Sequence, residues 1–357
     1  MIRRAILRLA LSLAALVAVV PAGQASDVLQ IVLGPTTIDI SIGHAGFSSI
    51  PLGMGYWREE GLDVKVIGIA NSTAAMQMLT AGTITCASIT GDSSVHARAR
   101  GVPGTAVYTY AREPITRIVS LKSSGITKLE QLKGQKVGVM SMADGSVFIL
   151  RHAVSEIGMD PMKDLNFVGV GTGAQAALAL QRGDVQAWAG WDTVVAAAEN
   201  RGMQFNVLRP AYFDRMLGNA IVCRDDFVKQ YPQAVGKLLR GVAKATVFGL
   251  SNPEGVIRNH WKMYPGTKSQ GTDEAKLMQE SLRIFTSRFD GLKLRPGQRK
   301  WGESFPAEWA GLVTIAKQAG QIPEGFEGTG LYTNAFIDAA NSFDAAAVVK
   351  QAKESKW

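Results

Sequence analysis

From residue 29 to about residue 225 the chain alternates short β-like runs with helical patterns, and this alternation restricts the fold more than any other feature. Runs at 29–33, 62–67, 83–89, 106–110, 117–122, 136–140, 165–170, 185–189, 205–208 and 220–223 read as strands, with 38–42 as a further one. Helical segments between most of them place the chain in the α/β class, with layered and largely parallel sheets. After residue 225 the strands stop. Segments 227–250, 273–289, 306–319 and 334–343 read as helices, separated by Pro and Gly clusters such as SNPEG and RPGQ. Such a tail packs on the α/β layers nearest to it, so it is not a separate domain.

The chain opens with Arg3, Arg4 and Arg8, an apolar run over 9–20, Pro21 and a small-residue site ending at Ala25. This is the pattern of a secretory signal peptide, since 12 apolar residues fall short of the roughly 20 needed to span a bilayer. Cleavage is expected after Ala25. With no cysteine beside that site, the product is expected free of a lipid anchor in an extracytoplasmic space. Removing residues 1–25 takes three arginines and no acids from a net charge of +8, leaving +5. No Lys or Arg block accompanies that mild charge, which argues against a nucleic-acid partner.

Cys86 and Cys223 sit in strand-like runs, TITCASIT and NAIVCRDDF, and are expected as two free buried thiols. The four histidines, at 44, 96, 152 and 260, share no ligand spacing on a helix face, so no metal site is expected.

Polar turns recur at the carboxyl ends of strands, immediately before helices: TGDSS at 90–94, SMADGS at 141–146 and GWDT at 190–193. In open α/β sheets ligands bind at such ends, where the next helix offers unpaired N–H groups. A fourth turn, Ser41 to Gly46, precedes Phe47, Ile50, Met54 and Trp57, whose i, i+3, i+7, i+10 spacing is one face of a helix ended by Gly61. His44 and Phe47, Thr90, Gly91, Asp92, Ser93 and Ser94, then Ser141, Asp144, Gly145 and Ser146, then Trp188, Trp191 and Asp192 are therefore the candidate ligand contacts. Phe47 and Trp191 are expected to face a cleft and Trp57 to be core. Helix capping explains any single Ser, Thr or Asp here; the set gains meaning from its repetition at equivalent places. The three aspartates argue against a purely anionic ligand.

Two enzyme motifs are incomplete. GVGTGA at 169–174 has only part of the dinucleotide spacing, and no nucleotide cofactor is expected. GDSS at 91–94 resembles an esterase nucleophile block, but the last histidine, His260, lies in IRNHW without an aspartate two or three residues earlier.

The order HAGF, GYWREEGLDVKV, MLTAGTITCAS, ITKLEQLKGQKVGV, DGSVFILRHAVSEIGM, ALQRGDVQAWAGWD and LYTNAFIDAANSFD resembles the periplasmic substrate-binding proteins of ABC importers. The branch is the one that takes nitrate, sulfonates, taurine and thiamine-pyrimidine-like ligands, the NMT1/THI5-like family. The resemblance implies a type II periplasmic-binding fold: two α/β lobes, 26–115 plus 224–357 and 116–223, joined by crossings near 112–122 and 208–223. It implies that the four turns clamp a small organic solute, expected to be an aromatic or sulfonate/carboxylate-type anion, by hinge closure. The expected partner is an ABC permease with its cytoplasmic ATPase, or a membrane sensor; the receptor itself is expected to be monomeric and to break no bond. The alternative is a pyrimidine-precursor synthase on the same fold, whose cysteine-rich iron site is missing from this sequence. Two departures leave the solute open: TTIDISIGHAG lacks the Trp strand and Asn-rich turn of the pyrimidine branch, and Gly145–Ser146 lead into Val147 and Phe148.

Overall fold

Runs rich in Val, Ile and Ala become strands because both of their faces are covered, and in this protein they assemble into two sheets. The computed structural model describes residues 28–295 and 297–355; the expected signal peptide and its cleavage site lie outside them. The first sheet contains β1 (Leu29–Pro35), β2 (Leu62–Val66), β3 (Cys86–Thr90), β4 (Gly104–Thr109) and, from far later in the chain, β10 (Asn219–Arg224), in the order β2-β1-β3-β10-β4. The second contains β5 (Thr116–Leu121), β6 (Lys136–Val139), β7 (Asn166–Gly169), β8 (Ala187–Trp191) and β9 (Phe205–Val207), in the order β7-β6-β8-β5-β9. In each sheet one strand runs against its neighbours: β10 between β3 and β4, and β5 between β8 and β9.

Those two antiparallel strands follow the two passages of the chain between lobes, residues 110–115 outward and 208–218 back. The passages bond to each other, Gly218 N–H to Ala111 O (3.0 Å) and Ala111 N–H to Asn219 O (3.0 Å). A Cβ on Gly218 would lie 2.0 Å from the Glu113 carbonyl, so this contact requires glycine.

The tail helices pack on the first sheet. Leu238, Leu239, Val242 and Phe248 of the helix Pro232–Ser251 join one core with Ile31, Leu33 and Phe47, and Trp57 Nε1 donates to Leu238 O at 2.9 Å. Trp57 is thus core, as expected.

Several expectations are corrected. Residues 38–42 form no strand, because β2 already occupies the outer side of β1 and the chain turns on itself instead, with Ser41 N–H bonded to Asp39 O. The helix expected over 47–57 is broken into Ser49–Gly53 and Tyr56–Glu59 by Gly55, which adopts a left-handed φ of 73°. The segment 227–250 splits at Pro232, and 334–343 is helical only at Ile337–Ala340. The SNPEG cluster starts a helix: Pro253 occupies the first turn of Pro253–Met263, and Asn252 Oδ1 accepts the Gly255 amide.

The cysteines are also corrected. Cys86 and Cys223 stand directly opposite each other in the β3–β10 pair and are joined as a disulfide, closing a sequence separation of 137 residues. They were read as separate because only the sheet order, with β10 inserted beside β3, makes them neighbours. Replacing both by alanine is expected to lower unfolding stability by about 3–5 kcal/mol, the range for a bond closing so long a loop. Urea denaturation of the variant checks the loss, and thiol titration of the unfolded wild type should find no free sulfhydryl.

Candidate functional site

The topology brings the carboxyl ends of the parallel strands in both sheets to a common gap. Pro35 ends β1, Thr90 ends β3 and Trp191 ends β8, while Thr116 and Asn219 begin the two antiparallel strands; all five line one cavity between the lobes. The helices Ser72–Thr80, Gly91–Ala99, Gly145–Glu156 and Asp192–Asn200 begin around it. The cavity has about 40 Å³ of free space, room for roughly two or three waters.

Of the expected contacts, His44, Thr90, Asp144, Gly145, Ser146 and Trp191 line this cavity. The remainder lie behind it. Phe47 departs from its expected place facing the cleft: it is fully buried, with its ring edge-on to Tyr110 at 4.7 Å. Gly91 is wedged against Leu217 and Leu312. Ser93 and Ser94 bond to Thr90, at its hydroxyl (2.9 Å) and carbonyl (2.9 Å). Asp92 pairs with the buried His152, Ser141 keeps a buried hydroxyl, and Trp188 belongs to the core of the second sheet with Val119 and Leu180.

Asp192 sits one step back, and its partner is the residue that sequence reasoning missed. Arg288, 2 % exposed, lines the cavity and reaches Asp192 from the other lobe: Nε donates to Oδ2 at 2.8 Å and Nη2 to Oδ1 at 2.6 Å. Burial works against the charge on Arg288, yet Asp192 outweighs it and the guanidinium's pKa is raised. A signal existed, because Arg288 continues the stripe Leu277, Ser281, Phe285 that buries one face of the helix Glu274–Phe289. A charged residue on a buried stripe needs a partner. Ser72, Ser88, Thr116 and Asn219 were also missed; all are buried lining residues.

Burial, then the charge of Arg288, then that of His260, holds His44 well below the usual imidazole range, so its ring is neutral at ordinary pH. Burial raises the pKa of Asp144, opposed by the hydroxyl and amide of Ser146 and the amide of Gly145. His260 donates Nε2–H to Ile40 O (3.0 Å) and accepts from Ser49 (2.8 Å).

Two α/β lobes joined by two crossings, with a polar cavity at their facing strand ends, constitute the periplasmic-binding-protein fold. The periplasmic aliphatic sulphonate binding protein SsuA from Escherichia coli is similar in structure, with TM-score 0.63 and 19% identity over 85% of this chain and 91% of that one. The periplasmic nitrate-binding protein NrtA from Synechocystis PCC 6803 gives TM-score 0.61 and 16% identity over 92% and 90%. The family model described as NMT1/THI5 like matches residues 52–256, and the chain belongs to that family.

Curated relatives are named differently. The 4-amino-5-hydroxymethyl-2-methylpyrimidine phosphate synthase THI13 of Saccharomyces cerevisiae is 27% identical over 242 residues, 63% of this chain and 68% of that protein. The synthase of the same name from Schizosaccharomyces pombe is 21% identical over 288 residues, 76% and 77%. The expectation of a chain outside enzyme chemistry is corrected by these names, since its sequence relatives are called synthases.

Two predictions follow from the charges. Asp192→Asn alone should cost about 3–5 kcal/mol by leaving Arg288 buried without its partner, whereas Arg288→Met with Asp192→Leu should recover most of that in urea unfolding. Burial lowers the pKa of His260 to about 4, and that of His96 likewise to about 4. The unfolded chain takes up these protons near the ordinary imidazole value of 6.5 and the folded chain only near 4. Their contribution to stability is therefore complete above pH 6.5 and is lost as the pH falls through 4. His96 stacks on Phe148 at 3.9 Å, so His96→Phe should remove the His96 share of this fall from the melting-temperature profile and leave that of His260.

Proposed function

We propose that the chain is an extracytoplasmic solute receptor that captures a small organic molecule between its lobes and delivers it to an ABC permease driven by a cytoplasmic ATPase. The observation that carries this reading is the interlobe cavity at the strand ends, lined by polar residues of both lobes and bridged by Arg288 and Asp192. Closure around the ligand would create the surface that the permease reads. The lobes are 26–115 plus 224–357 and 116–223, and the solute contacts come from His44, Thr90, Asp144 to Ser146 and Trp191, with Arg288 added. The names of the structural neighbours support an extracytoplasmic location. In this reading the signal peptide is removed after Ala25, and the receptor acts as a free monomer.

A second reading has its own support, the synthase names of the curated relatives: the same cleft would hold a pyrimidine precursor during its synthesis. Cell fractionation combined with native mass spectrometry separates the two. The receptor reading expects a mature chain beginning near Ser26 in the extracytoplasmic fraction, carrying a noncovalent small molecule that raises its melting temperature. A cytosolic chain retaining residues 1–25 and turning over a pyrimidine precursor would establish the second.

A further inference from the structure

The start of the helix Gly145–Glu156, in the second lobe, rests against three hydroxyls of the first. A Cβ on Gly145 would lie 2.8 Å from Ser93 Oγ, 3.1 Å from Thr90 Oγ1 and 3.3 Å from Ser72 Oγ, all inside the 3.4 Å at which ordinary van der Waals contact begins. Resting on the receptor reading, we infer that Gly145 is the positioning residue that sets how far the lobes close, because only a residue without a side chain lets the helix start seat among these hydroxyls. Two further contacts join the same regions. Thr73 Oγ1 donates to Ala143 O at 3.0 Å, just before Gly145, and Asp92 meets His152 deeper in the helix that Gly145 opens.

Backbone conformation does not require glycine here. Gly145 opens a helix and its φ is not in the left-handed region, so an L side chain fits the conformation and alanine favours it. Nor does the hydroxyl seat yield freely. Thr90 Oγ1 accepts the Ser93 amide at 3.1 Å and its proton goes to Ser93 Oγ at 2.9 Å, so the hydroxyl nearest to Gly145 is held by the residue that caps the helix Gly91–Ala99. Ser93 and Ser72 are both buried, which leaves their side chains little room to swing aside. A side chain added at 145 therefore acts on one state only: it is unhindered while the lobes are apart and overpacks the contact when they meet. Ser72, Thr90 and Gly145 also line the cavity, so the same contact fixes the width of the cleft that a solute meets after closure.

The test traps the closed state and needs no solute. In the mature protein, Thr73→Cys with Ala143→Cys places one thiol on each lobe where the lobes touch, and the two native cysteines are buried and already paired. The rate at which a short bis-methanethiosulfonate bridges the new thiols reports how often the lobes meet. Adding Gly145→Val is expected to slow bridging about tenfold or more, since overpacking penalises the closed state alone, with the melting temperature nearly unchanged. Gly145→Ala should slow it less, and Ser93→Ala, which removes the nearest atom, should return Gly145→Ala to within about twofold of the glycine protein, a coupling that a glycine needed only for folding would not show. Equal bridging with Gly145 and Gly145→Val, a melting temperature that falls in step with the rate, or no recovery from Ser93→Ala overturns the inference. A glycine protein that never bridges overturns it too; a noncovalent molecule carried through purification and seen by native mass spectrometry would then leave the receptor reading standing, and its absence would remove both.

Discussion

The Arg288–Asp192 pair is the interaction on which the arrangement of this cleft depends. Arg288 comes from the helix Glu274–Phe289, which packs on the first lobe, and Asp192 opens the helix that follows β8 in the second. Both are almost fully buried, so neither charge is tolerable without the other. Three consequences meet there. The lobes are tied together at one flank of the cavity, the lining loses its free positive charge, and the nearby imidazole of His44 is kept neutral, by its burial first and by Arg288 second.

A chain this long could have placed polar turns anywhere on its surface; the sheet order decides that they converge. Parallel strands joined by helices put every helix N-terminus of a lobe on the same edge. The two crossings then turn those edges toward each other, and the bonds between residues 111 and 218–219 fix the passages where they touch. Asp92 and His152 also meet across the lobes, joining Gly91–Ala99 to Gly145–Glu156. The starts of these same helices line the cavity through Thr90, Gly145 and Ser146. The Arg288–Asp192 and Asp92–His152 contacts each pair side chains from different lobes, and a buried polar contact of this kind is weaker evidence for stability than for a defined geometry.

Local chemistry was legible in the sequence where local chemistry decides the structure. The strands are placed within a few residues of their observed ends, since Val and Ile runs bounded by Gly and polar turns admit few other conformations. The turn residues that line the cavity were found because a strand end followed by a helix cap has a signature of its own. What escaped was set by contacts distant in the chain. Cys86 meets Cys223 only because β10 inserts beside β3; Phe47 is claimed by Tyr110 and the core; Arg288 lies nearly a hundred residues beyond Asp192. Proline was misread as a stop at Pro253, where it occupies the first turn of a helix, the position in which its missing N–H costs nothing.

The relatives of this chain include proteins named as binders and proteins named as synthases, and the geometry explains why one fold supports both. A cleft that closes over its ligand excludes water, and exclusion of water strengthens each hydrogen bond and charge inside it. For a receptor that strengthening becomes affinity; for an enzyme it becomes a preorganised environment for charge that develops during reaction. The residues that differ in meaning between the two cases are those whose proton state can change, and on the lining these include Asp144, whose pKa burial raises, and His44. Burial and Arg288 keep it neutral, so it offers one donor and one acceptor to whatever lies beside it. That is the equipment to orient a polar group, with Nδ1 of the ring on the side of the Ser41 hydroxyl at 3.4 Å.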